Sequence, residues 1–259
     1  MTDPFTTIVH RCAEMRSLVS RARQVAQDPG DVLIEGESGT GKELLARTLH
    51  VASARSGHPF VAIRCGAMPE TLLEPEIFGR VKGGIAIRTP ILYPGLLIRA
   101  SGGTVLLEDV CELPLVLQTR LLDALESRSA TPFGSRKQQS IDVRVVATSI
   151  RRVDTEIDTG RFSRALRDRI ARHVFWMPPL RERIGDVEPL VEHFLNGPSE
   201  CLSPDAGMKL ASGVMHRLQS HHWPGNVCQL KLLLEEAKFR AESRPAVNLI
   251  YLHLPSDGE

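Results

Sequence analysis

The sequence predicts an α/β fold in which a parallel sheet, covered by helices on both faces, is followed by a small helical subdomain. Short apolar runs alternate with helical stretches over residues 31–177, and uninterrupted apolar runs are typical of parallel strands that are buried on both faces. Beyond Pro178-Pro179 the spacing of apolar residues is helical only, over residues 186–195, 204–218 and 225–241. We therefore expect an α/β subdomain over residues 1–178, a helical subdomain over 179–247 and a tail over 248–259.

Each predicted strand is an apolar run, and turn residues precede several of them. Ser-Gly-His-Pro at residues 56–59 precedes the second run, and Gly102-Gly103 precedes the third. Helices are predicted over residues 42–52 and after Pro114, where leucines 117, 121, 122 and 125 share one face. The predicted strands cover residues 32–34, 60–63, 104–107, 143–147 and 174–177.

Composition excludes several functional classes. The chain has 259 residues, of which 42% are hydrophobic and 24% charged, enough to bury a full core. Its net charge is +1, so contact with nucleic acid or a membrane surface would need a local patch. No apolar run approaches the roughly 20 residues that span a bilayer. The five cysteines form no CxxC pair and no signal peptide precedes Cys12, which predicts a cytoplasmic protein with free thiols.

The strongest chemical signal is a glycine-rich loop between the first strand and the first helix. Its glycines let the backbone turn tightly and direct N–H groups at phosphate oxygens, while the lysine can reach terminal phosphates from a helix N-terminus. A nucleoside triphosphate is the expected ligand, and a glycine-rich turn that binds nothing is the alternative. The loop consists of Gly36, Glu37, Ser38, Gly39, Thr40, Gly41, Lys42 and Glu43, the last standing where a Mg²⁺-binding hydroxyl is usual.

Several motifs together resemble one known family. They are GESGTGKE at residues 36–43, LEPEIFG at 73–79, GGT at 102–104, PPLRER at 178–183 and WPGNV at 223–227. The chain resembles the AAA+ ATPase domain of NtrC-type bacterial enhancer-binding proteins, which remodel the sigma-54 form of RNA polymerase. The resemblance covers nearly the whole chain and includes Glu43. It implies a P-loop αβα sandwich with a helical lid, a hexamer or heptamer with ATP and Mg²⁺ between subunits, and remodelling driven by hydrolysis.

The resemblance also assigns the hydrolytic carboxylates. The family places Asp and then Glu at the end of the third strand, to hold Mg²⁺ and to polarise the attacking water. This chain has Glu108 and then Asp109. We expect Glu108 and Asp109 to share the Mg²⁺ and water roles, with Glu108 as the Mg²⁺ ligand. Hydrolysis should be slowed, because a carboxylate displaced by about 1 Å can cost about a hundredfold in rate. An acidic pair with a structural role is the alternative.

The positions that restrain water and sense the nucleotide also differ from the family. The asparagine at the end of the second strand aligns with Arg64, and the threonine and asparagine of the first sensor align with Ser149 and Ile150. The lid arginine of the second sensor aligns with Cys228. Each lost donor weakens stabilisation of the transferring phosphoryl group.

One of the family's two arginine fingers is missing from its position. The first aligns with Ser163, for which Arg164 is a candidate substitute one residue away, and the second is kept as Arg169. A finger can contribute about a thousandfold to hydrolysis. The arginines of this segment are expected either to face a neighbouring subunit or to form a solvated helix face: Arg161, Arg164, Arg167, Arg169 and Arg172.

The family's contact loop for the sigma factor is altered. Family members carry Gly-Ala-Phe-Thr-Gly-Ala, whereas residues 83–88 read Gly-Gly-Ile-Ala-Ile-Arg. The apolar segment that follows, residues 89–95, either contacts a protein or packs on its own subdomain. We find no helix-turn-helix after Val247, no receiver domain before the ATPase module and no third metal ligand near His221-His222.

Two functions follow from these observations. The first is an ATP-binding AAA+ transcriptional regulator that hydrolyses ATP weakly, with Arg169 acting on a neighbour's nucleotide and sigma-54 as a partner. The second is a non-hydrolysing module in which ATP controls assembly with its own or paralogous AAA+ subunits, or binding to another protein. Neither function includes a membrane or direct DNA binding.

Overall fold

A five-stranded parallel sheet lies at the centre of the computed structural model, which describes residues 3–82, 91–196, 209–210, 213–240 and 246–247. The chain divides into two units. The sheet unit comprises Met1–Phe5, Arg21–Gly36 and Lys42–Trp176, and the helical unit comprises Thr6–Ser20, Glu37–Gly41 and Met177–Glu259.

All the predicted strands belong to the parallel sheet. The described strands are β1 (Val32–Glu35), β2 (Phe60–Arg64), β3 (Gly79–Lys82), β4 (Ile91–Pro94), β5 (Thr104–Glu108), β6 (Ser129–Ala130), β7 (Gln139–Ser140), β8 (Arg144–Ser149), β9 (His173–Trp176), β10 (Lys209–Leu210) and β11 (Ala246–Val247). The sheet has the order β2-β5-β8-β1-β9, and all its pairings are parallel. The predicted α/β fold is therefore confirmed.

Helices connect the strands and build the helical unit. The described α-helices are α1 (Ala13–Gln27), α2 (Lys42–Val51), α3 (Glu70–Phe78), α4 (Leu96–Arg99), α5 (Leu115–Ser127), α6 (Val153–Asp158), α7 (Arg164–Ile170), α8 (Val187–Asn196), α9 (Val214–Ser220) and α10 (Asn226–Arg240). None of the helices in these ranges is long and apolar enough to cross a bilayer.

The core of the sheet unit explains its uninterrupted apolar runs. Residues 105–107 of β5 and 145–147 of β8 are each 0% exposed, because helices cover both faces of the sheet. Helix α5 begins after Pro114 and turns Leu117, Leu121 and Leu125 into this core, as the spacing of its leucines predicts.

The helical unit packs α8, α9 and α10 around Trp223. This side chain is 1% exposed, and its indole N–H donates to the carbonyl of Leu218 at 2.8 Å. The predicted helices over residues 186–195 and 225–241 are confirmed as α8 and α10.

The predicted helix over residues 204–218 is wrong in part. Lys209 and Leu210 form β10, which pairs in parallel with β11, so the expectation that strands end at the two prolines is also wrong. The helix begins at Val214, after Gly213, whose φ of +82° is outside the helical region. A two-residue strand is too short to produce a period that sequence analysis could detect.

The predicted sigma-contact loop lies outside the described residues, as do the tail at 248–259 and Cys201. The apolar segment after this loop begins as β4, which pairs with β3 in an antiparallel hairpin. Tyr93 of β4 is 41% exposed, and the Arg80 guanidinium lies 5.1 Å from its ring centre.

Buried Arg144 stabilises the sheet unit by binding three carbonyls. It is 2% exposed and donates to Gly30 at 3.0 Å, Ala26 at 3.3 Å and Val25 at 3.0 Å. We expect Arg144→Gln to lower the free energy of unfolding by about 2–3 kcal/mol, since buried carbonyls would lose charged donors. Urea unfolding measures this loss. Exposed Arg164→Gln is the control and should change stability by less than about 0.5 kcal/mol.

Candidate nucleotide site

The chemically important side chains of the sheet unit meet at one edge of the sheet. Parallel strands end at the same edge, and the register places Arg64 opposite Glu108 and Glu35 opposite Ser149. The loop that follows β1 starts here, where the N–H of Gly36 donates to the carbonyl of Ser149 at 3.1 Å. Ligands of open α/β sheets bind at this carboxyl edge.

The backbone of the phosphate loop requires glycine. Gly39 and Gly41 have φ values of +74° and +100°, which side chains with a Cβ rarely adopt. The Lys42 ammonium donates to the carbonyl of Gly36 at 2.7 Å, and the Thr40 hydroxyl donates to the carbonyl of Glu37 at 2.8 Å. These bonds close the loop on itself.

Three consecutive loop carbonyls accept hydrogen bonds from residues 183–228, which belong to the same unit as residues 37–41 of the loop. The Asn226 amide donates to Ser38 O at 2.8 Å, and the Arg183 guanidinium donates to Thr40 O at 2.8 Å. Gly39 O accepts from the backbone N–H groups of residues 227 and 228, at 3.0 and 3.3 Å. In a trans peptide the N–H points away from the preceding carbonyl. The N–H groups of Gly39, Thr40 and Gly41 therefore each point away from the donor that binds the preceding carbonyl.

Glu108 forms an ion pair with the arginine that replaces the family's asparagine. The Arg64 Nη2 and Nε atoms lie 3.3 and 3.4 Å from Glu108 Oε2. The Arg64 side chain is 63% exposed and that of Glu108 is 17% exposed. The pair adds little stability because solvent screens it, yet it sets the charge beside the carboxylate.

Asp109 has an unusual backbone conformation at the end of β5. Its φ and ψ are both 54°, in the left-handed region that a non-glycine residue seldom adopts. The N–H of Asp109 donates to the Thr148 hydroxyl at 3.2 Å, which holds this conformation. Strain of about 1–3 kcal/mol is typical of such residues and accumulates at functional sites.

The first-sensor position is occupied by groups that bind within the chain. The Ser149 hydroxyl donates to the carbonyl of Arg151 at 2.6 Å and lies 3.3 Å from the Cys111 sulfur. Ile150 is 45% exposed and has no polar atom to offer a phosphate. Loss of phosphate sensing at this position stays a prediction.

The retained finger position, Arg169, pairs with Asp31 of its own chain. The Asp31 residue is 5% exposed, and its second oxygen accepts from the N–H of Val145 at 2.7 Å. Ser163 acts as the N-cap of α7, since its hydroxyl accepts from the N–H of Leu166 at 3.3 Å. The role of Arg169 towards a neighbour's nucleotide stays a prediction.

Most other arginines of this segment are also paired within the chain. Arg161 binds Glu156 at 2.7 Å, Arg167 lies 3.3 Å from Asp154, and Arg172 lies 3.5 Å from Asp28. Within the described ranges, Arg164 is exposed and has no ion pair. A face of these arginines towards a neighbouring subunit stays a prediction.

The thiols and histidines have structural surroundings. Burial raises the pKa of the Cys111 thiol to about 11 and also raises the pKa of Cys65, so both stay protonated at neutral pH. His221 accepts from the N–H of Trp223 at 3.0 Å. No group of three or more metal-binding side chains occurs among the residues that the structure describes.

The polar contacts of Glu37 could not be predicted from the sequence. Arg181 donates to the Glu37 carboxylate at 2.7 and 2.6 Å, and the Asn226 amide lies 3.3 Å from it. Both partners lie in motifs that carry the family resemblance, PPLRER and WPGNV. No sequence spacing predicts contacts between residues that are 144 and 189 positions apart.

The fold and loop define a P-loop protein of the AAA+ class. The Sigma-54 interaction domain model matches residues 8–175, and the AAA+ ATPase lid domain model matches residues 181–252. The chain belongs to the sigma-54 interaction domain family, as its resemblance predicts, and we call residues 181–252, which the second model matches, the lid from here on.

Curated relatives and a solved structure agree with this assignment. The response regulator FleR of Pseudomonas aeruginosa is 40% identical over 86% of this chain and 46% of its own length. The sigma-54-dependent transcriptional regulator SfnR of Pseudomonas fluorescens is 37% identical over 87% of this chain and 61% of its own. NtrX of Brucella abortus superposes with a TM-score of 0.85 at 27% identity, over 98% of this chain and 57% of NtrX. The chain spans about half the length of such relatives.

The Arg169–Asp31 pair can be tested as a structural contact. We expect Arg169→Ala to lower the free energy of unfolding by about 2 kcal/mol at pH 8, because it leaves a buried carboxylate without its cation. Burial already raises the pKa of Asp31, and loss of Arg169 would raise it further. Stability of the variant should therefore fall as the pH rises above the unfolded pKa, so the loss should be smaller near pH 4.

Urea unfolding at pH 4, 6 and 8 measures this dependence. The double variant Asp31→Asn/Arg169→Ala should not show this pH dependence, because the carboxylate has been removed. Arg167→Ala, whose partner Asp154 is 67% exposed, is the matched control. A pH-independent loss in Arg169→Ala would contradict the structural role.

Proposed function

We propose that this protein is an ATP-binding AAA+ transcriptional regulator in which ATP hydrolysis is held at a low rate by its own arginine and sensor substitutions. This slow reaction converts ATP to ADP and phosphate. The observation that carries the proposal is the Arg64–Glu108 ion pair, because it neutralises the carboxylate that would otherwise act on the nucleotide's metal ion.

ATP binding is supported by the geometry of the phosphate loop. The N–H groups of Gly39, Thr40 and Gly41 point away from the donors that bind the preceding carbonyls, and Lys42 supplies a positive charge at the N-terminus of α2. Structures of NtrX have been solved with ADP and with ATP. A nucleoside triphosphate fits these residues better than the alternative of a turn that binds nothing.

A bound Mg²⁺ ion would have few protein ligands at this site. Mg²⁺ binds one or two carboxylates together with nucleotide phosphates and water, and it neutralises charge on the transferring group. Glu108 is the residue that would hold it. Glu43, at the position of the usual hydroxyl, forms an ion pair with Arg47 at 2.7 Å. The Arg64 guanidinium competes with Mg²⁺ for Glu108.

The remaining substitutions also lower the expected rate of ATP hydrolysis. Ile150 offers no amide to the nucleotide, and Cys228 offers no cation at the second sensor. Arg169 would have to leave Asp31 before it could contact a neighbouring subunit, and the buried Asp31 carboxylate resists that change. Asp109 remains the candidate for polarising the attacking water.

Replacing Arg64 with the family's residue should increase hydrolysis. We expect Arg64→Asn to raise the rate of phosphate release on the order of tenfold, since Glu108 would lose its competing cation and a neutral amide would face the site. Phosphate release is measured with Mg²⁺ over a range of protein concentrations, with Lys42→Ala as the blank. Arg23→Asn removes another exposed arginine from an ion pair in the sheet unit and should leave the rate unchanged.

The outcomes separate the two functions. Turnover of the unmutated protein that is fast and rises cooperatively with concentration would contradict weak hydrolysis. If neither the unmutated protein nor Arg64→Asn exceeds the blank, while fluorescent ATP still binds, the non-hydrolysing module is the better description. Absence of ATP binding would reject both.

The proposed partners are other AAA+ subunits and the sigma-54 factor, and the proposed location is the cytoplasm. The matched family model supports both, because it describes a domain that interacts with sigma-54. The altered residues 83–88 lack the aromatic and threonine that the family uses, so we propose that contact with sigma-54 is weak and that assembly with its own or paralogous subunits dominates.

Assembly should depend on ATP. We expect the sedimentation coefficient to increase when ATP is added and to remain that of the free subunit for Lys42→Ala, because ATP lies between subunits in this family. Analytical ultracentrifugation of the protein alone, and mixed with a paralogue that has intact fingers, measures the change. Complex formation that is identical with and without ATP would contradict the proposal.

A further inference from the structure

We propose that Arg181 and Asn226 of the lid are positioning residues for the nucleotide: they turn the Glu37 carboxylate and the loop carbonyls away from the phosphate-binding side of the loop. This inference rests on the proposed binding of ATP. It assigns a role to Glu37, the one acidic side chain between Gly36 and Lys42.

Glu37 places a negative charge within the phosphate loop. A carboxylate within a phosphate-binding loop repels a triphosphate unless a cation neutralises it. Both oxygens of Glu37 accept from Arg181, at 2.7 and 2.6 Å, in the bidentate geometry that makes such pairs strong and directional. The Arg181 and Glu37 side chains are 40% and 34% exposed, so salt in solution partly screens the pair.

The Asn226 side chain fixes the backbone of the phosphate loop. Asn226 is 0% exposed, and its amide group makes contacts with three groups. Its oxygen accepts from the N–H of Leu180 at 2.7 Å, and its nitrogen donates to Ser38 O at 2.8 Å and lies 3.3 Å from Glu37. The bond to Ser38 O fixes the orientation of the Gly39 N–H, because the two groups belong to one planar peptide.

Asn226 has a strained backbone that supports a positioning role. Asn226 and Trp223 both have φ of +53°, within a turn closed by the N–H of Asn226 and the carbonyl of Trp223 at 2.8 Å. This turn delivers the Asn226 amide and the N–H groups of residues 227 and 228 to adjacent loop carbonyls. Loops ordered before binding lose less entropy on binding, which increases affinity.

Charge variants distinguish positioning from direct contact with the nucleotide. We expect Arg181→Gln to weaken binding of fluorescent ATP about tenfold, and this loss should shrink in high salt. Glu37→Gln should bind as well as the unmutated protein or more tightly. Glu37→Gln/Arg181→Gln should bind within about twofold of the unmutated protein, since no unpaired carboxylate remains. Lys231→Gln, which removes an exposed lid cation paired with Glu235, is the control and should have no effect.

The backbone role has a readout that needs no nucleotide. Asn226→Asp keeps the acceptor for Leu180 but removes the donor to Ser38 O, so amide hydrogen exchange of residues 38–41 should accelerate about tenfold in the nucleotide-free protein. Exchange in α8 and α10 should stay unchanged, which shows that the lid is folded. A change in those helices together with the loop would overturn the positioning role.

Three further outcomes test the positioning role of Arg181 and Asn226. If the double variant binds ATP as weakly as Arg181→Gln, Arg181 acts on the nucleotide itself and the proposal is overturned. If exchange and affinity are both unchanged in all variants, it is overturned as well. If the unmutated protein does not bind ATP but Asn226→Asp accelerates exchange, the proposed function fails while control of the loop conformation by the lid stands.

Discussion

Five consecutive carbonyls of the phosphate loop, from Gly36 to Thr40, each accept a hydrogen bond, and the proposed nucleotide site depends on this. Lys42 and Thr40 satisfy the first two, and donors of the lid satisfy the other three. Because each peptide is planar, a carbonyl held by a donor also fixes the direction of the following N–H. The proposed anion site depends on these bonds, and the glycines make that backbone conformation accessible.

The arginines of the sheet unit show a second constraint, which is the pairing of charge within the chain. Arg64 binds Glu108, Arg169 binds the buried Asp31, and Arg161 binds Glu156. Each pair removes a cation or a carboxylate from the set that could act on a phosphoryl group. A family in which hydrolysis depends on arginines and carboxylates acting together loses rate when those groups bind each other instead. The proposed weak hydrolysis follows from these pairs.

Much of the fold could be predicted because the sheet has a strong sequence pattern. Strands such as β5 and β8 are buried on both faces, so their residues are continuously apolar, and glycine and proline mark the turns between them. The lid was predicted less well. Local spacing predicts a helix at residues 209 and 210. They form a strand because they pair with residues 246 and 247, a contact that local spacing does not encode.

Local residue types at fixed spacing are sufficient to predict the parallel sheet, the phosphate loop and the family. Which charges neutralise each other could be seen only in the folded chain. Whether Arg64 is free or bound to Glu108, and whether Glu37 faces Arg181 or a phosphate, depends on side chains far apart in the chain. Such contacts are set by packing and register over long separations, and the sequence carries no periodic signal of them.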